Sequence, residues 1–489
     1  MKTVRVLIAA SLLFITALLT RQAYWTKWAD LFPLSTITDH NHPSDYYLPP
    51  AVNDNSIMHN RPFNYTRSSQ CQSYGSYTFS RGPAYFDQRL AEPAVKILAY
   101  GPKNSRLEAK LLIFGRPSDK SPLFVLNCTA HIFDRYAGGR VGLAEYPHWP
   151  YFVQCLLSKQ RLDPQIWNTI THVQLVFNKF VPKHIIATDG RATSACILPL
   201  AVVPRFKSGT TGHRLDVCVK TMHQSFGDWL QIVQFVEWWL HAGATHFWIY
   251  RHSSQPDVDR VLQYYVGTRR VMTVLPSSGE LEETNRGVQQ VQIQDCILRL
   301  AGRADYVAKV DWDEHMMYRD PDSNVPNYLL QFLDGESQFH DHTSGWMWLH
   351  AYSLSFASFQ THMTSQVNVA QNISDLWSLR GSSVTDIQAY LNQLPDQIQT
   401  SNVFPPGERC KMITRPENVL WENVHFVTDY LHGQKTKTLP SDKFLLFHMR
   451  RKKIHVPADE RKVPSPFRTQ IRSLAERVAQ TVREIKQQL

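Results

Sequence analysis

From about Leu215 onward, apolar and polar positions follow two rhythms in turn. "DVCVKTM", "HFWIYRH", "RVMTVLP" and "YVAKVD" are short runs rich in β-branched and aromatic residues, the pattern of buried strands. Between them, "DWLQIVQFVEWWLHAGA", "PDVDRVLQYYVG" and "VQQVQIQDCILRLAG" repeat apolar residues at intervals of three and four, the pattern of helices packed on one face. The first of these helices carries its own punctuation, with Asp228 placed to cap its start and Gly243 to stop it. Strands alternating with helices of this length predict βαβ units and a mainly parallel sheet, so residues 215–460 read as an α/β domain.

Upstream the rhythm is different. Between residues 71 and 206 come "VKILAYG", "AKLLIFG", "PLFVLNCTAHIF", "YFVQCLL", "HVQLVFN" and "CILPLAVV", separated by Gly, Pro, Asp and Asn. Such short runs predict a β-rich, sandwich-like domain. At the other end, residues 465–489 place Phe467, Ile471, Leu474, Val478, Val482, Ile485 and Leu489 on one helical face, an amphipathic helix expected to pack on the body or on a partner.

The N-terminus changes the picture. Lys2 and Arg5 precede an unbroken apolar run, Val6 to Leu19, with Arg21 and Lys27 behind it. A cleaved signal peptide and an uncleaved signal anchor both fit the run; no small-x-small cleavage site follows, and bulky and basic residues come next, which favours the anchor. The expected order is a cytosolic tail (1–5), an anchor (6–20) and a stem or linker (21–70) rich in Pro, Asn, Asp, Ser and Tyr. That is a single-pass type II topology with the bulk of the chain in the lumen of the Golgi or another secretory-pathway compartment. Asn-x-Ser/Thr acceptors at Asn64, Asn127 and Asn372 agree with it, as do seven widely spread cysteines with no CxxC pair.

Composition narrows the partners. The formal charge of +10 favours anions, from nucleic acid to phosphates and sugar nucleotides. The absence of an arginine-rich tract, zinc-finger spacing or RNA-binding aromatic motif argues against nucleic acid. The candidate chemistry lies in "YVAKVDWDEHMMYRD", where a strand runs into Asp311, Asp313 and Glu314. Open α/β sheets bind their ligands at the carboxyl ends of strands. Two carboxylates one residue apart can converge there on a cation, and oxygen donors of this kind suit Mg²⁺ or Mn²⁺ shared with substrate phosphates. Alone, Asp-x-Asp is equally the pattern of a solvated turn.

Several separate stretches together carry a resemblance. "VCVKTM" at 217–222, "FVEWWLHAGATHFWIY" at 235–250, "QDCILRL" at 294–300, "DWDEH" at 311–315, "CKMITRPENVLWENVHFV" at 410–427 and "FHMR" at 447–450 resemble, in order and spacing, the glycosyltransferase family 92 domain, whose members include β-1,4-galactosyltransferases. The resemblance covers about half of the chain. It implies a GT-A fold, a UDP-sugar donor, usually UDP-galactose, a divalent metal, generally Mn²⁺, and transfer with inversion onto a hydroxyl of a glycan or glycoprotein acceptor. Matched residue by residue, it assigns Asp311 and Asp313 to metal and nucleotide, with Glu314 completing the acidic pattern. His315 stands where an aromatic is common, and Gln294 where Asn is common in an Asn-Asp-Cys triplet.

Other residues follow as expectations. A histidine returning to the metal is His425, with His448 as the other candidate. Lys411 and Arg415 in "CKMITRP", and Arg450 in "HMRR", are candidates for contacts to diphosphate or acceptor. Glu314, the acid nearest the metal, is the candidate catalytic group, although it can equally orient the turn, and Asp341 and Glu422 stay open as bases. Asp295 is expected to brace the sheet. Trp346 and Trp348 are a possible sugar platform, or core. The expected protein is a Golgi-type hexosyltransferase; a catalytically inactive glycan-binding protein of the same fold and a metal-dependent phosphoesterase are the rivals.

Overall fold

The computed structural model describes elements between residues 73 and 488; residues 1–72 and several connecting segments, among them 356–378 and 451–464, lie outside the described residues. The expected tail, anchor and stem therefore lie outside them too. Among the described residues, no helix is long and apolar enough to cross a membrane.

The N-terminal strands are β1 (Ser73–Tyr74), β2 (Tyr77–Phe79), β3 (Ala84–Asp87), β4 (Ala94–Pro102), β5 (Glu108–Ile113), β6 (Phe124–Ile132), β7 (His148–Leu156), β8 (His172–Phe177) and β9 (Ala195–Val203). They were expected to form the two facing sheets of a sandwich. Instead they form one sheet, in the order β1-β2-β4-β3-β9-β8-β5-β6-β7, and β4 also pairs with β7. The physical reason is the length of β4: one edge pairs with β7 over its whole span, Ala94↔Leu156 to Pro102↔His148, and the other edge serves both β3 and β2. The ladder from β4 through β3, β9, β8, β5, β6 and β7 thus closes on itself, as in a barrel.

The α/β half follows the predicted alternation. Strands β10 (His213–Met222), β11 (His246–Arg251), β12 (Met272–Pro276) and β13 (Ala304–Val310) are parallel neighbours. Helix α1 (Trp229–Ala242) starts where Asp228 accepts from the Gln231 N–H at 3.1 Å and stops at Gly243, whose φ of 114° is the left-handed conformation that a Cβ disfavours. Helix α2 (Pro256–Gln263) runs into a π-helical turn, Tyr264–Thr268, that the periodicity did not reveal. Helix α3 (Asn285–Leu300) follows, and its Cys296 is disulfide-bonded to Cys218 of β10.

Beyond β13 the chain doubles back. β14 (Glu314–Tyr318) leaves the parallel sheet and joins β16 (Ala351–Ser355), β17 (Gln399–Thr400) and β22 (Phe444–Arg450) in a small second sheet. The main sheet is extended on the β13 side by β18 (Lys411–Thr414), then β15 (Trp346–Leu349) and β21 (Thr436–Thr438). β18 runs antiparallel to β13, and β19 (Val419–Glu422) with β20 (Val427–Tyr430) makes a separate hairpin. Helices α4 (Tyr328–Gln338) and α5 (Val384–Gln397) complete the middle. The C-terminal helix α6 (Ser465–Gln487) buries Ile471, Leu474, Val478, Val482 and Ile485 in the main core beside Trp229, Phe235 and Trp239 of α1, so it packs on the body of the protein. All these elements belong to one compact unit, Ser69–Leu489.

Candidate active site

Chain order and sheet order part company between β10 and β13. From β10 the chain moves outward through β11 to β12, then returns to place β13 on the opposite side of β10. Such a reversal leaves a crevice at the carboxyl ends of the two strands. A small pocket, open to solvent, lies there, with Cys218 and Lys220 of β10, Lys309 of β13, Gln289 of α3 and Lys411 of β18 among its walls, and Val424 from the β19–β20 turn.

The acidic turn sits at the mouth of this crevice. Between the two aspartates, Trp312 is buried, lies edge-on to Phe235 with ring centres 5.1 Å apart, and donates from its indole to the Lys220 carbonyl at 3.0 Å. The anchored indole fixes the turn, leaving Asp311 and Asp313 half-buried on either side. The Glu314 side chain then folds back: its Oε2 accepts from the Asp311 N–H at 2.8 Å, while the Glu314 N–H donates to the Asp311 carbonyl at 3.1 Å.

Lys411 closes the arrangement. Its Nζ lies 3.1 Å from Asp311 Oδ2 and 3.3 Å from Glu314 Oε2, and the other Asp311 oxygen accepts from Gln289 Nε2 at 3.0 Å. Burial works against the Lys411 ammonium, but the Asp311 and Glu314 carboxylates outweigh it and hold its pKa above the ordinary lysine value. The ammonium lies between Asp311 and Glu314, not between Asp311 and Asp313, the pair expected to share a metal. Glu314 is 2% exposed and engaged by both Asp311 and Lys411, contacts that orient the turn.

Lys309, on the neighbouring strand β13, is paired differently. Its Nζ donates to Glu422 Oε2 at 2.6 Å and to the Thr414 hydroxyl. Burial pulls Lys309 down to about 8 against the pull of Glu422, and burial likewise pushes Glu422 up to about 7.

The other expected residues scatter. Arg415, at the far end of β18, stacks its guanidinium 5.3 Å from the Tyr306 ring centre and donates to the Tyr306 hydroxyl at 3.2 Å, near the start of β13 and away from the acids. His425 lies half-buried in the turn that joins β19 to β20, closed by the Asn423 N–H donating to the Phe426 carbonyl at 2.7 Å and next in sequence to the pocket residue Val424. His448 stands opposite Glu314 in the β14–β22 ladder, and Arg450 ends β22 in register with Ser355; their side chains, like those of Trp346 and Trp348, lie outside the described residues. His315 points away from the acids, packed with its ring centre 5.1 Å from Trp238 and 6.0 Å from Phe235. Among the described residues, no group of three or more His, Cys, Asp and Glu converges as a metal cage. Two half-buried aspartates at an open strand end instead fit an ion that completes its shell with water and substrate oxygens, the habit of Mg²⁺ and Mn²⁺.

Sequence reasoning missed Gln289, Trp312 and the Lys309–Glu422 pair. The polar positions of "VQQVQIQDC" were the available signal, since glutamines on the buried side of a helix need partners: Gln290 donates to Asn423 Oδ1 at 2.8 Å and Gln294 to the Glu422 carbonyl at 2.7 Å. Asp295 braces as expected, accepting from Tyr85 at 2.5 Å, Tyr250 at 2.7 Å and Arg299 at 2.9 Å, with burial pushing its pKa up to about 6.

No curated protein matches the chain. The mixed α/β sheets with their helices fit a glycosyltransferase fold, and the family model described as Glycosyltransferase family 92 matches residues 213–489. That match runs from the first residue of β10 to the end of α6 and covers more than half of the chain, which therefore belongs to glycosyltransferase family 92.

Proposed function

We propose that this glycosyltransferase moves a hexose, galactose from UDP-galactose, onto a glycan or glycoprotein hydroxyl with inversion, in the GT-A manner and with a divalent ion, Mn²⁺ or a similar cation. The observation that carries the reading is the crevice between β10 and β13, where Lys220, Lys309 and Lys411 surround a pocket bordered by Asp311. Lys309 and Lys411 are already paired with acids, so a metal held at the acidic turn, together with Lys220, would meet the charge of a diphosphate here. In this reading Asp311 and Asp313 would hold the ion, with His425 as the further candidate ligand. When bound, the ion supplies neutralisation of the charge that develops on the departing diphosphate.

The chain's own residues set the geometry. Lys411 keeps one Asp311 oxygen engaged and Gln289 the other, so the carboxylate faces the pocket in one orientation. Three carboxylates in the turn against one ammonium leave an excess of two negative charges, which a divalent ion balances. Trp312 keeps the turn from yielding when the donor arrives. The same reading places the enzyme in the Golgi lumen behind the anchor at 6–20, in keeping with the Cys218–Cys296 disulfide and with Cys155, which is also disulfide-bonded.

The test is donor turnover by a secreted form covering Ser69–Leu489, with Mn²⁺, a panel of UDP- and GDP-sugars and a mixed glycan acceptor. UDP release from UDP-galactose, abolished by chelation and lowered about 100- to 1,000-fold by Asp313→Ala in a protein that folds and secretes normally, is the expected result. Full activity in Asp313→Ala sinks the metal assignment, and turnover of another sugar nucleotide sinks the galactose assignment.

A further inference from the structure

Arg89 lies well upstream of the residues matched by the family model, yet it is buried against the catalytic half of the molecule. Its Nη1 donates to the Pro416 carbonyl at 2.7 Å and to the Val419 carbonyl at 2.8 Å. On its other side, Nε and Nη2 each reach an Asp87 oxygen at 2.9 Å, and Asp87 also takes the Lys96 ammonium at 2.8 Å. Burial opposes the Asp87 carboxylate, but Lys96 and Arg89 outweigh it and hold its pKa well below the usual range, so the Asp87 anchor stays charged at physiological pH.

The two carbonyls bracket the short 3₁₀ turn Pro416–Asn418, the joint between β18 and β19. From that joint the chain enters the hairpin that walls the pocket. Glu422 ends β19 and pairs with Lys309, Asn423 accepts from Gln290, and Val424 lines the pocket itself. The hairpin is therefore gripped from two sides: by the glutamines of α3 and by one arginine of the N-terminal sheet.

We propose that Arg89 is a positioning residue for the donor pocket, and that the β-rich region is thereby a working part of the active site. This rests on reading the pocket as the donor site. The guanidinium fork suits the task, because it meets a carboxylate on one edge and two carbonyls on the other at once. A lysine, with three donors on a single nitrogen, cannot span the two groups. Released from Arg89, the 416–419 turn has two buried acceptors to resatisfy, and the hairpin follows its joint. Tyr85, by contrast, joins the same two parts of the molecule through Asp295 without touching that joint.

The experiment compares the full chain, Arg89→Lys and Tyr85→Phe by amide hydrogen exchange and by UDP binding in the presence of Mn²⁺. Arg89→Lys is expected to speed exchange across residues 417–430 about tenfold and to weaken UDP binding about tenfold, since small displacements in a binding site are amplified. Tyr85→Phe is expected to lower the melting temperature while leaving both readouts within about twofold of the unmodified chain. If Arg89→Lys behaves like Tyr85→Phe in both readouts, the inference is overturned. If Arg89→Lys does not fold, exchange of the unmodified chain in rising denaturant decides: opening of the β19–β20 hairpin together with β3 supports the inference, and separate opening defeats it. Failure of the unmodified chain to bind UDP overturns the donor reading, and the exchange arm tells that failure apart from a failure of Arg89 to hold the hairpin.

Discussion

Lys411 and Lys309 sit on adjacent strands, line one pocket and are both buried, yet their surroundings push them in opposite directions. Lys411 lies between two carboxylates, one of which, Asp311, is still partly hydrated, and its charge is held firmly. Lys309 has one carboxylate, Glu422, as buried as itself, and the pair is drawn toward neutrality from both ends, Lys309 down to about 8 and Glu422 up to about 7. Burial is nearly the same in the two cases, so the number of counter-charges decides the outcome. One acid cannot offset the desolvation of two ions, whereas two acids can offset that of one lysine.

Removing the lysine that matters most gives the largest effect. Lys411→Met leaves Asp311 and Glu314 facing each other without a cation, and is expected to cost about 3–5 kcal/mol of unfolding free energy in denaturant titration at pH 7. A loss below about 1 kcal/mol would mean that water already solvates the two acids, and the contrast with Lys309 would collapse.

The second test is a pH dependence. Burial pushes the Glu422 carboxyl up to about 7 from its ordinary value of 4.5, so between these pH values the folded state binds more protons than the unfolded one. Its contribution to stability is therefore present below about pH 4.5 and declines as pH rises to about 7, by about 3 kcal/mol. Glu422→Gln is expected to remove this decline, read as the difference in unfolding free energy between pH 5 and pH 7. An unchanged slope in the variant would assign the proton uptake elsewhere. The smallest effect is expected from Gln289→Ala, which takes one neutral hydrogen bond from Asp311 and should cost about 1 kcal/mol. A cost as large as that of Lys411→Met would show that the amide, and not the ammonium, holds the turn.

The comparison also marks the limit of what the sequence reveals. The alternation of strands and helices, the Asp228 cap, the Gly243 stop and the position of the acids at the end of β13 were legible, because each is written within a few neighbouring residues. The partners of those acids were not. Lys411 comes a hundred positions after Asp311, and Arg89 meets Pro416 across a separation of 327 residues, distances over which local periodicity carries no information. Arg415 shows the same limit from the other side. It shares the "CKMITRP" stretch with Lys411, but four residues of extended chain carry it about 13 Å from Lys411, where it stacks on Tyr306. The closed ladder of the β-rich region was hidden for a related reason: strand runs are visible in a sequence, and the second partner of a long strand is not.

Cys218 lines the pocket while joined to Cys296, across a separation of 78 residues. The wall of the crevice is thus completed by an oxidation as well as by packing. A newly made chain carries an unfinished crevice wall until two electrons have left that pair of thiols, and the redox state of its surroundings becomes a condition on its completion.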